Sequence, residues 1–269
     1  MQDDDFYTLP GRASTTVDWN EYPLHPQPDG RKHDGLPNYP SAFRVGNKLW
    51  FLLNPFSDNS PGHVGDLSDR APYSVRQDGK QVGKGQLSFG MASVKVTAKP
   101  SVIRLALTAS EPSTANEFST ATDTVWTMHT HPQPRAVIPG SWTCFIESYV
   151  TGPFVPTQKC AVLPMLAVSY HVHGLRLDGF APAGSQQISV DVGHIALARA
   201  APIVSVKVRV SWDRGRTWQP VKVSRTSAGH YRLAFTAPAG VDPTLSLTAT
   251  DAAGNSIAET ITDAYGVGG

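Results

Sequence analysis

The pattern that most constrains this chain is a rhythm of short segments in which apolar and polar residues alternate, each closed by glycine, proline, asparagine or aspartate. Val94-Lys95-Val96-Thr97, Val102–Leu107 and Thr124–Met128 alternate in this way. Seven further runs follow: Ala161–Tyr170, Gln186–Val192, Ile203–Trp212, Thr217–Val223, His230–Phe235, Leu245–Thr250 and Ile257–Thr262. A period of two places successive side chains on opposite faces of a strand. Only Gly193–Ala201 has room for a helical turn, and it is too short to stand as a helix. Composition agrees, with 23 glycines and 22 prolines to form turns and only 17% charged residues. At roughly 150 residues per domain, 269 residues suggest two domains. The expectation is an all-β protein: two β-sandwiches in tandem, the second immunoglobulin- or fibronectin-III-like.

The boundaries follow from proline. Residues 1–40 carry Pro10, Pro23, Pro26, Pro28, Pro37 and Pro40, too dense for a strand, and read as an extended N-terminal arm. Residues 41–130 read as a first sandwich, jelly-roll-like or immunoglobulin-like, with Tyr73–Gln77 and Lys80–Gly83 joined by the hairpin turn Asp78-Gly79. Residues 131–160 are broken by Pro132, Pro134, Pro139, Pro153 and Pro156 and read as a connector. Residues 161–269 hold the seven later runs and have the size of a sandwich domain.

The formal net charge is +1, which selects neither nucleic acid nor an anionic membrane surface, and no apolar run approaches the roughly 20 residues of a membrane span. Met1-Gln2-Asp3-Asp4-Asp5 lacks the basic start and apolar stretch of a secretory signal. Either the chain is cytosolic or its targeting lies elsewhere. Cys144 and Cys160 bracket the second part of the connector. A disulfide between them would stabilise by about 3 kcal/mol through loop closure, and two buried free thiols are the alternative. A disulfide implies an oxidising compartment and so favours an extracellular protein.

Ser211-Trp212-Asp213-Arg214-Gly215-Arg216-Thr217-Trp218 fits the S-x-D-x-G-x-T-W pattern of an Asp-box hairpin. Here Asp213 can accept from turn amides, Gly215 takes positive φ, and Trp218 packs beneath. A propeller needs roughly one copy per blade, and this chain has one, so Ser211, Asp213, Gly215, Thr217 and Trp218 read as a structural hairpin. Thr250–Asn255 reads as a second tight turn, and Asp251, Asn255, Asp213 and Asp242 supply too few oxygens for calcium. His129 and His131, like His171 and His173, are two apart and share a strand face. They are weak candidates for a zinc site, the plainer reading being solvated strand ends.

No serine motif completes a hydrolytic triad, and Glu111, Glu117 and Glu147 lack the context of a paired carboxylate site. The best polar grouping is Asp58, Asn59, His63, Asp66 and Asp69 on the long loop after Leu53, a possible site on the rule that long loops carry function. Trp19, Trp50, Trp142 and Tyr149 are candidates for stacking on sugar rings, with Trp50 and Trp126 also reading as core. No cofactor is expected.

Several segments, in order, resemble a known family. Asn54–His63 resembles a loop of the form P-L-F-x-D-x-x-G-H, and Tyr73–Gly83 resembles the hairpin that follows it. Leu105–Ser110, Thr124–Met128, Cys160–Leu166, Ala181–Gly184, the Ser211–Trp218 box, Ala249–Asn255 and Asp263-Ala264-Tyr265-Gly266 continue the match over nearly the whole chain. The sequence resembles the C-terminal, non-catalytic region of large secreted subtilisin-like serine proteases of actinobacteria. The D-[ST]-G, H-G-T and G-T-S-M-A motifs of that family's catalytic domain do not occur here; Gly90-Met91-Ala92-Ser93 has the wrong order for the last. The resemblance implies an accessory module pair, secreted, whose partners are an upstream protease domain, a protein substrate or a cell-envelope polymer. Extracellular glycan binding, and a hydrolase with a site on residues 54–70, are the competing expectations.

Overall fold

Alternating burial follows directly from the alternating sequence. In a computed structural model, residues 21–28, 38–59, 71–87, 90–111, 117–146 and 155–268 are described. The first strands are β1 (Ala42–Val45), β2 (Lys48–Leu52), β3 (Pro72–Gln77), β4 (Lys80–Gln86), β5 (Met91–Lys95), β6 (Ser101–Ser110) and β7 (Ala121–Thr130). Three short ones follow, β8 (Cys144–Phe145), β9 (Pro156–Thr157) and β10 (Ala161–Val162). Then come β11 (Leu166–Val172), β12 (Phe180–Pro182), β13 (Gly184–His194), β14 (Ile203–Ser211) and β15 (Gln219–Pro220). The last are β16 (Lys222–Ser227), β17 (His230–Ala237), β18 (Thr244–Asp251), β19 (Ser256–Thr262) and β20 (Gly266–Gly268). No helix occurs among the described residues, so the chain is all-β.

The architecture is set by one eight-stranded sheet in the order β15-β14-β18-β19-β7-β6-β3-β4. Two four-stranded sheets accompany it, β11-β13-β17-β16 and β10-β1-β2-β5. In the long sheet the registers place Ala249 opposite Ile257, Ile257 opposite Trp126, Trp126 opposite Leu105 and Leu105 opposite Val75. That row of buried side chains crosses from the later strands into the earlier ones without a gap. A single apolar cluster accordingly extends from Leu24 to Val267. Trp126 Nε1 donates to the carbonyl of Leu166 at 3.0 Å, which ties β7 to the start of β11.

The chain division expected at 131–160 is thus not a break in the main sheet, because β7 and β19 pair from Ala121↔Thr262 to Thr127↔Ser256. Local boundaries also differ from the sequence reading. Ala161–Tyr170 is interrupted at Pro164, which cannot donate to a ladder, leaving β10 and β11. Thr217–Val223 divides because the chain changes sheets: Gln219–Pro220 pairs with β14, and Lys222–Ser227 pairs with β17. Val221, buried between them, is the pivot.

The connector is more than a linker. Cys144 and Cys160 are joined by a disulfide. They pack with Ile138, Phe43, Trp50 and Met91 into a second, smaller apolar cluster. Of the arm, residues 21–28 lie on the body, with Leu24 and His25 buried and His25 bridged to Ser57 by two backbone hydrogen bonds.

Candidate functional site

The densest polar grouping lies inside the protein. Strand β19 reads Ile257-Ala258-Glu259-Thr260-Ile261, so a period of two puts Glu259 on the same buried face as Ile257 and Ile261. Its register partner on β7 is Thr124, also buried. Thr124 Oγ1 donates to Glu259 Oε2 at 3.1 Å, and the Tyr170 hydroxyl of β11 donates to Oε1 at 3.0 Å. From the arm, His25 Nδ1 lies 3.3 Å from Oε2. Both the His25 and Glu259 side chains are 0% exposed.

The other imidazole nitrogen, Nε2, lies 3.0 Å from Asn59 Oδ1. That oxygen also accepts from the Tyr170 amide at 2.6 Å, while Asn59 Nδ2 donates to the carbonyls of Glu21 and Pro23. Asn59 Oδ1 is therefore an acceptor, and both ring nitrogens of His25 face acceptors, the arrangement that suits imidazolium. Burial alone would lower the His25 pKa, but the charge and hydrogen bonds of Glu259, with Asn59, outweigh it and raise it. Burial, and then the Glu259 charge, push the Tyr170 phenol well above its ordinary value.

Chemically, an acid–base pair must reach its substrate. This one is closed off, and each of its groups holds a separate segment: the arm, the loop around Asn59, β7, β11 and β19. It is a clasp. Asp58, also fully buried, and Asn59 belong to this region, so the described part of the polar loop is internal; His63, Asp66 and Asp69 lie outside the described residues. His25, Tyr170, Thr124 and Glu259 were not singled out by sequence reasoning. The available signal was a glutamate at an inward position between two isoleucines.

At the Asp-box, Asp213 Oδ1 accepts from Ser211 Oγ at 2.7 Å and the Thr217 amide at 2.8 Å, and Oδ2 accepts from Thr217 Oγ1 at 2.7 Å. The Thr217 amide and hydroxyl, then the Ser211 hydroxyl, hold the Asp213 carboxyl down at about 2. Gly215 has φ of 86°, and a Cβ there would stand 3.3 Å from the Trp218 ring. Trp218 in turn lies under Arg209, 4.9 Å from its guanidinium carbon. All five motif residues are engaged in their own turn.

Asp251 is similarly committed. Its carboxylate accepts from the amides of Ala253 and Asn255, from Asn255 Nδ2, and pairs with His194 Nε2 at 2.9 Å. Those four contacts occupy the oxygens a calcium ion would need. Among the described residues no group of three or more His, Cys, Asp or Glu is placed to hold a metal ion. His171 and His173 do meet, rings edge to face at 5.0 Å, but His171 Nδ1 contacts Glu21 and His173 Nε2 contacts Ser189. His129 and His131 instead line a cleft beside the Asp251 turn.

Trp50 is 7% exposed, stacked with Phe43 and covered by Lys48 Nζ at 4.0 Å, which leaves no open face for a sugar. Trp142 is partly buried against the disulfide cluster, and Trp19 and Tyr149 lie outside the described residues. Among the described residues no helix is long and apolar enough to cross a membrane. No protein-family model matches the chain, and a search of characterised proteins finds no significant match.

Proposed function

We propose that the chain is a non-catalytic accessory module of a secreted subtilisin-like serine protease, acting in binding, positioning or stability. The observation that carries this reading is the use of the strongest acid–base grouping as an internal clasp: His25 and Glu259 are sealed from solvent and hold five segments together. A disulfide supports an oxidising, extracellular setting. The sheet orders β11-β13-β17-β16 and β15-β14-β18-β19 support an immunoglobulin-like reading of the later half, since they follow the A-B-E-D and C-F-G arrangement. The resemblance of the segments from Asn54 to Gly266 supplies the protease association.

Three observations test it. The purified chain is expected to leave casein and chromogenic peptides uncleaved; turnover that persists through purification and is blocked by a serine-directed inhibitor overturns the reading. The encoding reading frame is expected to continue from a subtilisin-type catalytic domain. Deleting this module from that enzyme should leave small-peptide turnover intact while reducing thermal half-life or protein-substrate cleavage. No change in either result also overturns it.

A further inference from the structure

A cleft of about 450 Å³ opens where the end of β7, β10 and the turn after β18 converge. Its charged and titratable lining is of one kind: Arg44, Arg199, His129 and His131, with no aspartate or glutamate among the lining residues. Arg44 is the unusual member. It is only 3% exposed. Its Nε donates to the Gly46 carbonyl at 2.7 Å, and its Nη2 donates to the Thr97 carbonyl at 3.0 Å and more weakly to Asn47 Oδ1 at 3.4 Å. Its Nη1 is buried without a partner. Among the described residues no carboxylate pairs with this guanidinium. A buried cation lacking a counter-charge is costly, and an anion held in the cleft beside it recovers Coulomb attraction.

The rest of the lining narrows the ligand. Val162, Leu163, Pro164 and Pro202 form an apolar wall beside the cations. An inorganic anion has no use for such a wall, whereas a peptide end carries an apolar side chain next to its carboxylate. Strand β10 is the outermost strand of its sheet, so an extended chain can lie along its open side. The volume falls in the range of small-ligand clefts. The rings of His129 and His131 and the guanidinium of Arg199 are exposed and make no hydrogen bond among the described residues.

We propose that this cleft binds the free C-terminal carboxylate of a peptide, with Arg44 as the buried counter-charge, Arg199, His129 and His131 as the donors, and the Val162–Pro164 wall taking the terminal apolar side chain. The inference concerns binding by this chain and holds whether or not a protease domain accompanies it.

The test titrates the full chain with an N-acetylated Ala-Ala-Leu peptide bearing a free carboxylate, followed by NMR of the His129 and His131 rings and of the Ala253 and Asn255 amides. Saturable shifts confined to this set are expected. The C-terminally amidated peptide and the variant Arg199→Glu should each bind at least about tenfold more weakly, the scale of one charge-assisted hydrogen bond. Arg216→Glu, an equal charge change at another exposed site, should leave binding unaltered. Equal binding of the amidated peptide overturns the proposal. So does an equal loss in Arg216→Glu, a match by inorganic phosphate, or the absence of saturable shifts at millimolar peptide. An acetylated and amidated Ala-Glu-Leu peptide separates a side-chain carboxylate from a terminal one; binding as tight as the free terminus overturns the terminal assignment.

Discussion

Replacing Glu259 by alanine is the sharpest probe of the clasp. The substitution leaves three donors facing an empty space: Thr124 Oγ1, now 3.1 Å from its acceptor, the Tyr170 hydroxyl at 3.0 Å and His25 Nδ1 at 3.3 Å. Each unmade buried hydrogen bond costs about 1–3 kcal/mol, and removing one partner of a buried ion pair costs about 3–5 kcal/mol. These descriptions overlap, so the expected loss is about 4 kcal/mol, a large part of the roughly 5–15 kcal/mol typical of a folded domain. Tyr170→Phe removes one donor and leaves the pair intact, at about 1 kcal/mol. Glu259→Gln keeps an oxygen for Thr124 and places an amide near the Tyr170 oxygen, so its loss should lie between the two. Urea unfolding followed by tryptophan fluorescence reads all three, since Trp126 is fully buried on the adjacent β7 position. A Glu259→Ala protein within about 1 kcal/mol of the parent would refute the reasoning, because water would then be serving the three donors as well as the carboxylate does.

Other expectations are separable from that one. His25 has a raised folded-state pKa, so its contribution is full below its unfolded value of about 6.5 and is lost as pH rises through the folded value. Melting of the parent and of His25→Asn should therefore converge on the alkaline side, and a constant difference from acid to alkaline pH excludes the charged pair. Asp213 behaves in the opposite sense: depressed to about 2, it contributes above its unfolded pKa of about 3.9, and the deficit of Asp213→Ala in melting temperature should shrink as pH falls from about 4 to about 2. Reducing the Cys144–Cys160 bond should cost about 3 kcal/mol by loop closure, read as a lower urea midpoint with dithiothreitol. Gly266→Ala drives a Cβ into the Phe118 ring and to 2.6 Å from Phe180, and is expected to lose about 1–3 kcal/mol by overpacking; unchanged melting would show that the two rings can part.

Strand identity was legible because it is local. Ser101–Ser110 and Ala121–Thr130 bury every second residue for most of their length, and that alternation is visible in the sequence. The Asp-box was legible for the same reason: its bonds join residues two to four apart. What the sequence concealed depends on distance along the chain. The β7–β19 ladder joins Trp126 to Ile257, and no local pattern reveals which strands neighbour each other. The clasp joins His25 to Glu259, 234 positions apart, from a proline-rich arm whose composition suggests a loose tether. Asp58 and Asn59 look like a solvated loop because turn residues and buried polar anchors use the same letters; only the facing partners distinguish them.

The ladder between β7 and β19 also governs how the chain can be divided. An Ala161–Gly268 fragment would keep both flanking sheets of the later half, yet present β19 as a bare edge over the seven positions that β7 now covers. That edge carries Ile257 and Ile261 and a glutamate stripped of its arm partner. Unprotected, regular edges of this kind recruit strands from other molecules. The halves of this protein therefore protect each other against self-association, and cutting at the apparent linker would turn a structural junction into a polymerisation surface.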